Sequence, residues 1–263
     1  MEEIAERVKN GNVNLLEDAL LSISCSEKEE IENYKEKIGA INNDFDNWAR
    51  KNSKKYEIAN KEDEKEVIKS LFDYFWDSKL LRYNKDFLLS QVIDNQLSRN
   101  AYQEVGNCLG LTALYSVVCI RKGIRDLKIL ESNDHILNCY GNIFIENTLD
   151  SGFNADNKKY NGFQNYDLTQ LIASSYINNG IEKGKTKKFE EAIMYFDKAI
   201  RLNPNNSRAY NNRGIAKSEL KKYMGALMDF DEAIRLNPNN SNARTNMENT
   251  EAKFKKCKKN NKY

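Results

Sequence analysis

The sequence predicts an α+β protein: a helix-rich part with a small antiparallel sheet, followed by an all-α array of helical hairpins. Three observations predict this fold class. Apolar residues recur at helical spacing over roughly the first 105 residues. Two strand-like stretches flank Gly141 and Asn142, a dipeptide suited to a tight turn. One hexapeptide occurs twice in the last third of the chain, 34 residues apart.

The front of the chain is predicted to be helical. Residues 1–65 form a helical N-terminal region in this interpretation, and a second domain occupies residues 66–170. A polar stretch over residues 52–64 is expected to be a loop. Helical spacing is clear on both sides of that stretch, at Ile4, Val8, Leu15, Leu16 and Leu20 before it and at Val67, Ile68, Leu71, Phe72, Phe75 and Trp76 after it.

A buried helix is predicted from Gly106 to Ile120. Its residues are apolar on nearly every side, and Gly123 follows as an end signal. Cys108 lies at the start of this helix. Because unpaired N–H groups and the helix dipole favour a negative charge there, the position favours the thiolate, which is the nucleophilic form of cysteine.

Three strands are predicted after this helix, at residues 127–131, 135–140 and 143–148. If Tyr140 pairs with Ile143, then His135 and Glu146 point to the same face as diagonal neighbours, and Asn147 points to the other face. His135 is the only histidine of the chain. A cysteine at a helix start, a histidine and a nearby acid together indicate a nucleophile, its base and the residue that orients the base.

Alternatives remain for each of these residues. Cys108 could be a small packing residue and His135 a half-buried strand residue that bonds a carbonyl group. The backbone N–H of Cys108 is the expected oxyanion donor, with Gln103 as a candidate second donor. Asp134 and Asp150 are fallback partners for the histidine.

Residues 66–154 resemble the transglutaminase-like branch of the papain-like cysteine enzymes. The resemblance is carried by Gly106-Asn107-Cys108, the apolar helix ending at Gly123, Asp134-His135-Ile136-Leu137 and Ile145-Glu146-Asn147-Thr148. It implies that Cys108 is the nucleophile, His135 the general base and Glu146 the third residue. Family enzymes generally have aspartate and proline at the positions of Glu146 and Asn147.

The resemblance implies a cysteine-dependent acyl-transfer or amide-hydrolysing activity. Attack by Cys108 on an acyl carbon would form a thioester that either water or an amine resolves. The alternative is a non-catalytic domain of the same fold that acts as a protein-binding adaptor. Relatives that carry helical repeats sometimes lack the cysteine, whereas this chain has both Cys108 and His135.

The last third of the chain resembles the tetratricopeptide repeat (TPR). Residues 173–206 and 207–240 form two repeats, and residues 241–263 form a capping helix and a basic tail that begins at Lys253. The resemblance implies a groove that binds a protein or peptide partner. The alternative is that the repeats only pack against the neighbouring domain. The residues expected to pack the hairpins are Tyr176, Gly180, Ala192, Phe196, Ala199, Pro204, Tyr210, Gly214, Ala226, Phe230, Ala233 and Pro238.

Composition excludes several other classes. A net charge of +2 is too small for nucleic-acid binding as the main activity, and no apolar run reaches membrane-spanning length. Five scattered cysteines and one histidine predict free thiols in a cytoplasmic protein without a metal site or other cofactor. The segment Gly180–Thr186 has the wrong spacing for a phosphate-binding loop and is expected to be a helix end.

Overall fold

The computed structural model describes residues 3, 7–8, 12–79, 85–100, 102–132, 135–149, 151–154, 157–160 and 162–260. The chain divides into two compact units, Met1–Ile172 and Ala173–Tyr263. Over the residues described, no helix has both the length and the apolar character needed to cross a bilayer.

The first unit contains five α-helices within its described residues. They are α1 (Leu16–Leu21), α2 (Lys28–Lys51), α3 (Lys61–Ser78), α4 (Leu89–Leu97) and α5 (Cys108–Arg121). The predicted loop over residues 52–64 is shorter than expected, because α3 already begins at Lys61. Asn60 explains the early start, since its side chain accepts hydrogen bonds from the N–H groups of Glu62 and Asp63, and Asp63 bonds back to the Asn60 N–H.

Helix α5 lies at the centre of this unit, as its sequence, apolar on nearly every side, predicts. Every residue from Leu109 to Ile120 is buried, and α1 to α4 and the sheet all contact it. The Tyr115 hydroxyl donates a hydrogen bond of 2.5 Å to the Ile68 carbonyl on α3. The helix that begins with Cys108 is therefore the element on which the other helices and the sheet of this unit pack.

A four-stranded antiparallel sheet packs on α5. Its strands are β1 (Leu127–Glu131), β2 (Ile136–Tyr140), β3 (Ile143–Ile145) and β4 (Gln164–Tyr166), in the order β3-β2-β1-β4. Tyr140 pairs with Ile143, which confirms the predicted hairpin register. The sequence did not indicate β4, because this strand is short and polar and carries no alternating apolar pattern.

Strand β3 ends at Ile145 rather than at the predicted residue 148. The chain turns back after it, and the Glu146 N–H donates to the Gly152 carbonyl at 2.9 Å while the Gly152 N–H donates to the Leu149 carbonyl at 3.0 Å. The first of these bonds belongs to an isolated antiparallel bridge between Ile145 and Phe153, so the turn that follows β3 is closed at its base.

The second unit consists of helical hairpins. Its helices are α6 (Thr169–Lys185), which begins in the first unit, α7 (Phe189–Leu202), α8 (Ser207–Glu219), α9 (Tyr223–Leu236) and α10 (Ser241–Asn260). A Cβ atom on Gly180 would lie 2.5 Å from the Phe196 ring, and one on Gly214 would lie 2.7 Å from the Phe230 ring. The predicted glycine–phenylalanine packing is thus present in both hairpins. The predicted alanines Ala192, Ala199, Ala226 and Ala233 and the aromatic residue Tyr176 are also buried.

Three of the residues grouped with the hairpin packing are not buried. Pro204 and Pro238 are exposed; they follow the ends of α7 and α9 and end the second helix of each hairpin, which is the expected role of these prolines. Tyr210 is only half-buried, and its ring lies 5.3 Å from the Arg213 guanidinium.

The capping helix α10 includes Lys253 and continues to Asn260, so most of the basic stretch is helical. Lys253 pairs with Glu219 of α8 at 2.8 Å, and Lys255 pairs with Glu251 one turn earlier at 3.6 Å. These pairs reduce repulsion among the lysines along the helix.

Candidate active site

Cys108 is the first residue of α5 and is half-exposed. Asn107 caps the helix by accepting a 3.0 Å hydrogen bond from the Gly110 N–H. A Cβ atom on Gly110 would lie 2.5 Å from a Val92 methyl group of α4 and 2.9 Å from the Asp86 carbonyl. Only glycine permits this close approach of the first turn of α5 to α4.

His135 and Glu146 are in contact at the open end of the β2–β3 hairpin. The ring Nε2 atom lies against Oε2 of the carboxylate. The Glu146 side chain is 2% exposed and the His135 side chain 29%. The other carboxylate oxygen accepts hydrogen bonds from the N–H of Thr148, at 3.1 Å, and from its hydroxyl group. The carboxylate is therefore held from two sides, of which the hairpin register predicted only the His135 side.

Cys108 also interacts with the His135 ring. A hydrogen bond with the Cys108 side chain is the largest influence on the pKa of His135; together with the bond to Glu146 it raises this pKa to about 10, although burial acts in the opposite direction. Burial acts to raise the pKa of Glu146, but hydrogen bonds from His135 and Thr148 outweigh it and lower that pKa. The surroundings thus favour a protonated ring between a sulfur and a carboxylate.

Aromatic residues surround this pair. The Phe163 ring meets the His135 ring edge-on, with 6.3 Å between centroids, and Tyr160 packs between Phe163 and Phe144. Burial, together with the charge of Glu146, raises the pKa of Tyr160 to about 12. Sequence reasoning missed Tyr160 and Phe163, because they lie in a polar, non-periodic segment. Their aromatic character was the only available signal.

The remaining candidates occupy different surroundings. The Gln103 side-chain amide donates to the Glu104 carbonyl at 3.1 Å and to Asn95 Oδ1 at 3.4 Å. Asp134 and Asp150 lie outside the described residues. Cys139 is buried, and its sulfur lies 3.2 Å from the Gly141 carbonyl. Within the described part of the chain, no three His, Cys, Asp or Glu side chains form a group that could hold a metal ion.

The second unit has an open groove beside α8. One cavity of about 460 Å³ lies between α8 and α10, and another of about 190 Å³ lies between α6 and α8. Ile215 of α8 contributes to both cavities and is 37% exposed. Lys185 and Lys253 are at the walls, so the groove combines an apolar floor with charged edges.

Comparison with known proteins supports the repeats. Residues 171–206 and 207–240 each match a tetratricopeptide repeat family model. No curated protein matches the chain. Among solved structures, the Arabidopsis OM64 TPR domain is similar at 28% identity and a TM-score of 0.29, over 32% of this chain and 72% of that one. The chain therefore contains two tetratricopeptide repeats, as the 34-residue period predicts, and these are a protein-interaction module.

Proposed function

We propose that the chain is a cysteine-dependent acyl-transfer or amide-hydrolysing enzyme of the transglutaminase-like type, whose TPR module binds a protein partner. One observation carries the catalytic part: the single His135 ring interacts with both the Cys108 thiol and the Glu146 carboxylate. A structural histidine needs only one partner. A ring between a half-exposed sulfur at a helix start and a buried carboxylate has the arrangement of a catalytic triad.

The proposed reaction begins when His135 has taken the Cys108 proton and the resulting thiolate attacks the carbonyl carbon of an amide. The protonated His135 ring gives its proton to the departing nitrogen as the carbon–nitrogen bond breaks, which leaves a thioester on Cys108. Glu146 keeps the ring oriented and stabilises its positive charge. Water or an amine then attacks the thioester, His135 takes up the proton of that nucleophile, and the thiolate leaves.

Charge on the carbonyl oxygen must be stabilised during both steps. The backbone N–H of Cys108 is the proposed first donor, because the first-turn N–H groups of a helix have no partner within it. Gln103 is the proposed second donor. Its amide would have to leave its bonds to Asn95 and Glu104 when a substrate binds.

Alkylation by iodoacetamide near neutral pH tests the thiol site. We expect Cys108 to react about tenfold or more faster than Cys257, the other half-exposed thiol, and His135→Gln to remove this advantage without affecting Cys257. Burial raises the pKa values of Cys25, Cys119 and Cys139, so these thiols should react slowest. Equal rates at Cys108 and Cys257 in the native chain would contradict the proposal.

A non-catalytic adaptor is the second candidate, and the open groove beside α8 favours it. In that case Cys108→Ala leaves every complex of the protein intact, whereas Ile215→Arg abolishes them. Met194→Arg is a matched control, because Met194 on α7 is 62% exposed and does not line the groove. A complex that survives Ile215→Arg would contradict groove binding.

A further inference from the structure

A chain of buried polar groups runs behind Glu146. The Asn147 side chain donates to Asn138 Oδ1 at 2.8 Å, and Asn138 donates to the Ser116 hydroxyl at 2.7 Å. Ser116 in turn donates to the Thr112 carbonyl at 2.8 Å. All four residues are at most 4% exposed. The chain connects the residue after Glu146, the strand that follows His135 and the helix that begins with Cys108.

Glu146 and Asn147 hold β2 from opposite sides. The Glu146 carboxylate contacts His135, just before β2, while the Asn147 amide reaches Asn138 on the side of β2 that packs on α5. If Glu146 and Asn147 shifted along β2, the contacts with His135 and Asn138 would both break.

We infer that Asn147 and Asn138 are positioning residues that hold the Glu146 carboxylate on His135 and tie both to the helix of Cys108. Neither side chain touches the reacting atoms. Thr148 also holds Glu146, but its bonds stay within the same turn. Of the described contacts of this turn, the Asn147–Asn138–Ser116 chain is the one that reaches α5. A fully bonded buried network gives a unique geometry, which an apolar contact would not.

The inference rests on the proposed function only for its effect on catalysis, since the position of Glu146 can be measured without substrate. His135 is the only histidine, so its ring protons give unambiguous NMR signals. In Asn147→Ala we expect the pKa of His135 to fall by about one unit or more from its raised value near 10, because Glu146 is no longer held against the ring. Alkylation of Cys108 should slow about tenfold.

Tyr115→Phe is a matched control, because it also removes a buried hydrogen bond from α5. It should lower stability and leave the pKa of His135 unchanged. If Asn147→Ala does not fold, the double variant Asn138→Leu, Asn147→Leu serves instead, because removing both partners leaves no unsatisfied amide. A purely structural role predicts that the pKa of His135 keeps its raised native value in this double variant. A positioning role predicts that this pKa falls.

The outcomes separate the two proposals. A His135 pKa that stays within about 0.3 units of the native value in Asn147→Ala, or in the double variant, overturns the positioning role even if the native chain is an active enzyme. A lowered pKa supports positioning. If the native chain shows no enhanced Cys108 reactivity while the pKa still falls, positioning stands and the proposed catalytic function fails.

Discussion

Nε2 of His135 contacts Oε2 of Glu146, a residue 11 positions further along the chain, across the open end of the β2–β3 hairpin. This contact commits Nε2 of the ring to the carboxylate. The buried Glu146 carboxylate thus sets the orientation of the His135 ring. Both Glu146 and Cys108 favour the protonated form of the ring.

The first prediction concerns pH. Because folding raises the pKa of His135 from 6.5 to about 10, the folded chain binds more protons than the unfolded chain between these values. The contribution of His135 to stability is complete below about pH 6.5 and declines as pH rises to about 10. Urea unfolding of the native chain and of His135→Gln over this range should show the decline only in the native chain. If the free energies of unfolding of the two chains change in parallel with pH, the prediction is contradicted.

The second prediction concerns the turn behind Glu146. A Cβ atom on Gly152 would lie 2.2 Å from the Glu146 carbonyl oxygen, so Gly152→Ala must push the turn away. We expect a loss of about 1–3 kcal/mol in the free energy of unfolding and slower alkylation of Cys108. Gly39→Ala is the control, since its Cβ would meet only Arg121 at 3.5 Å. Normal Cys108 reactivity in Gly152→Ala would show that the turn does not hold Glu146.

The third prediction concerns the hairpins. Gly180→Ala and Gly214→Ala place a methyl group against Phe196 and Phe230, so each should destabilise the second unit by about 1–3 kcal/mol. Gly184→Ala, on the same helix as Gly180, meets nothing within 4 Å and should stabilise it by about 0.5–1 kcal/mol. Thermal unfolding of the three variants measures the contrast. Similar shifts for Gly180→Ala and Gly184→Ala would argue against close helix packing.

The fourth prediction concerns the turns between paired helices. Lys187 and Lys221 occupy equivalent places in the two repeats and have φ values of 61° and 59°. Lysine adopts this left-handed conformation at a cost, so Lys187→Gly should raise the free energy of unfolding by about 0.5–1 kcal/mol. Lys198→Gly, inside α7, should lower it by about 1 kcal/mol. Urea unfolding measures these changes. If glycine at neither Lys187 nor Lys221 raises the free energy of unfolding, the left-handed backbone conformation of these turns is contradicted.

Local patterns were sufficient to predict several elements. The run from Leu109 to Ile120, apolar on nearly every side, predicted a buried helix, and Gly141-Asn142 between two apolar runs predicted the hairpin and its register. The repeated glycines and phenylalanines were predicted to pack the hairpins, and in the structure each glycine lies against the phenylalanine of its own repeat. In each of these cases the information lies within a few residues or one repeat period.

Other features depended on contacts that no local pattern records. Strand β4 is polar and pairs only because β1 offers it a free edge. Tyr160 and Phe163 come from an irregular segment, and the Asn147–Asn138–Ser116 chain joins residues up to 31 positions apart through their side chains. Sequence reasoning placed Asn147 on the opposite face from Glu146 but gave it no partner.

The sequence by itself determined the 34-residue repeat, the buried helix behind Cys108 and the meeting of His135 with Glu146, because helical and strand periodicity assign side chains to faces. Only the tertiary structure decided which groups hold Glu146 against His135. The early end of β3, the closure of the turn on Gly152 and the amide chain to Ser116 all arise where distant backbone and side-chain groups must find partners in the same buried volume.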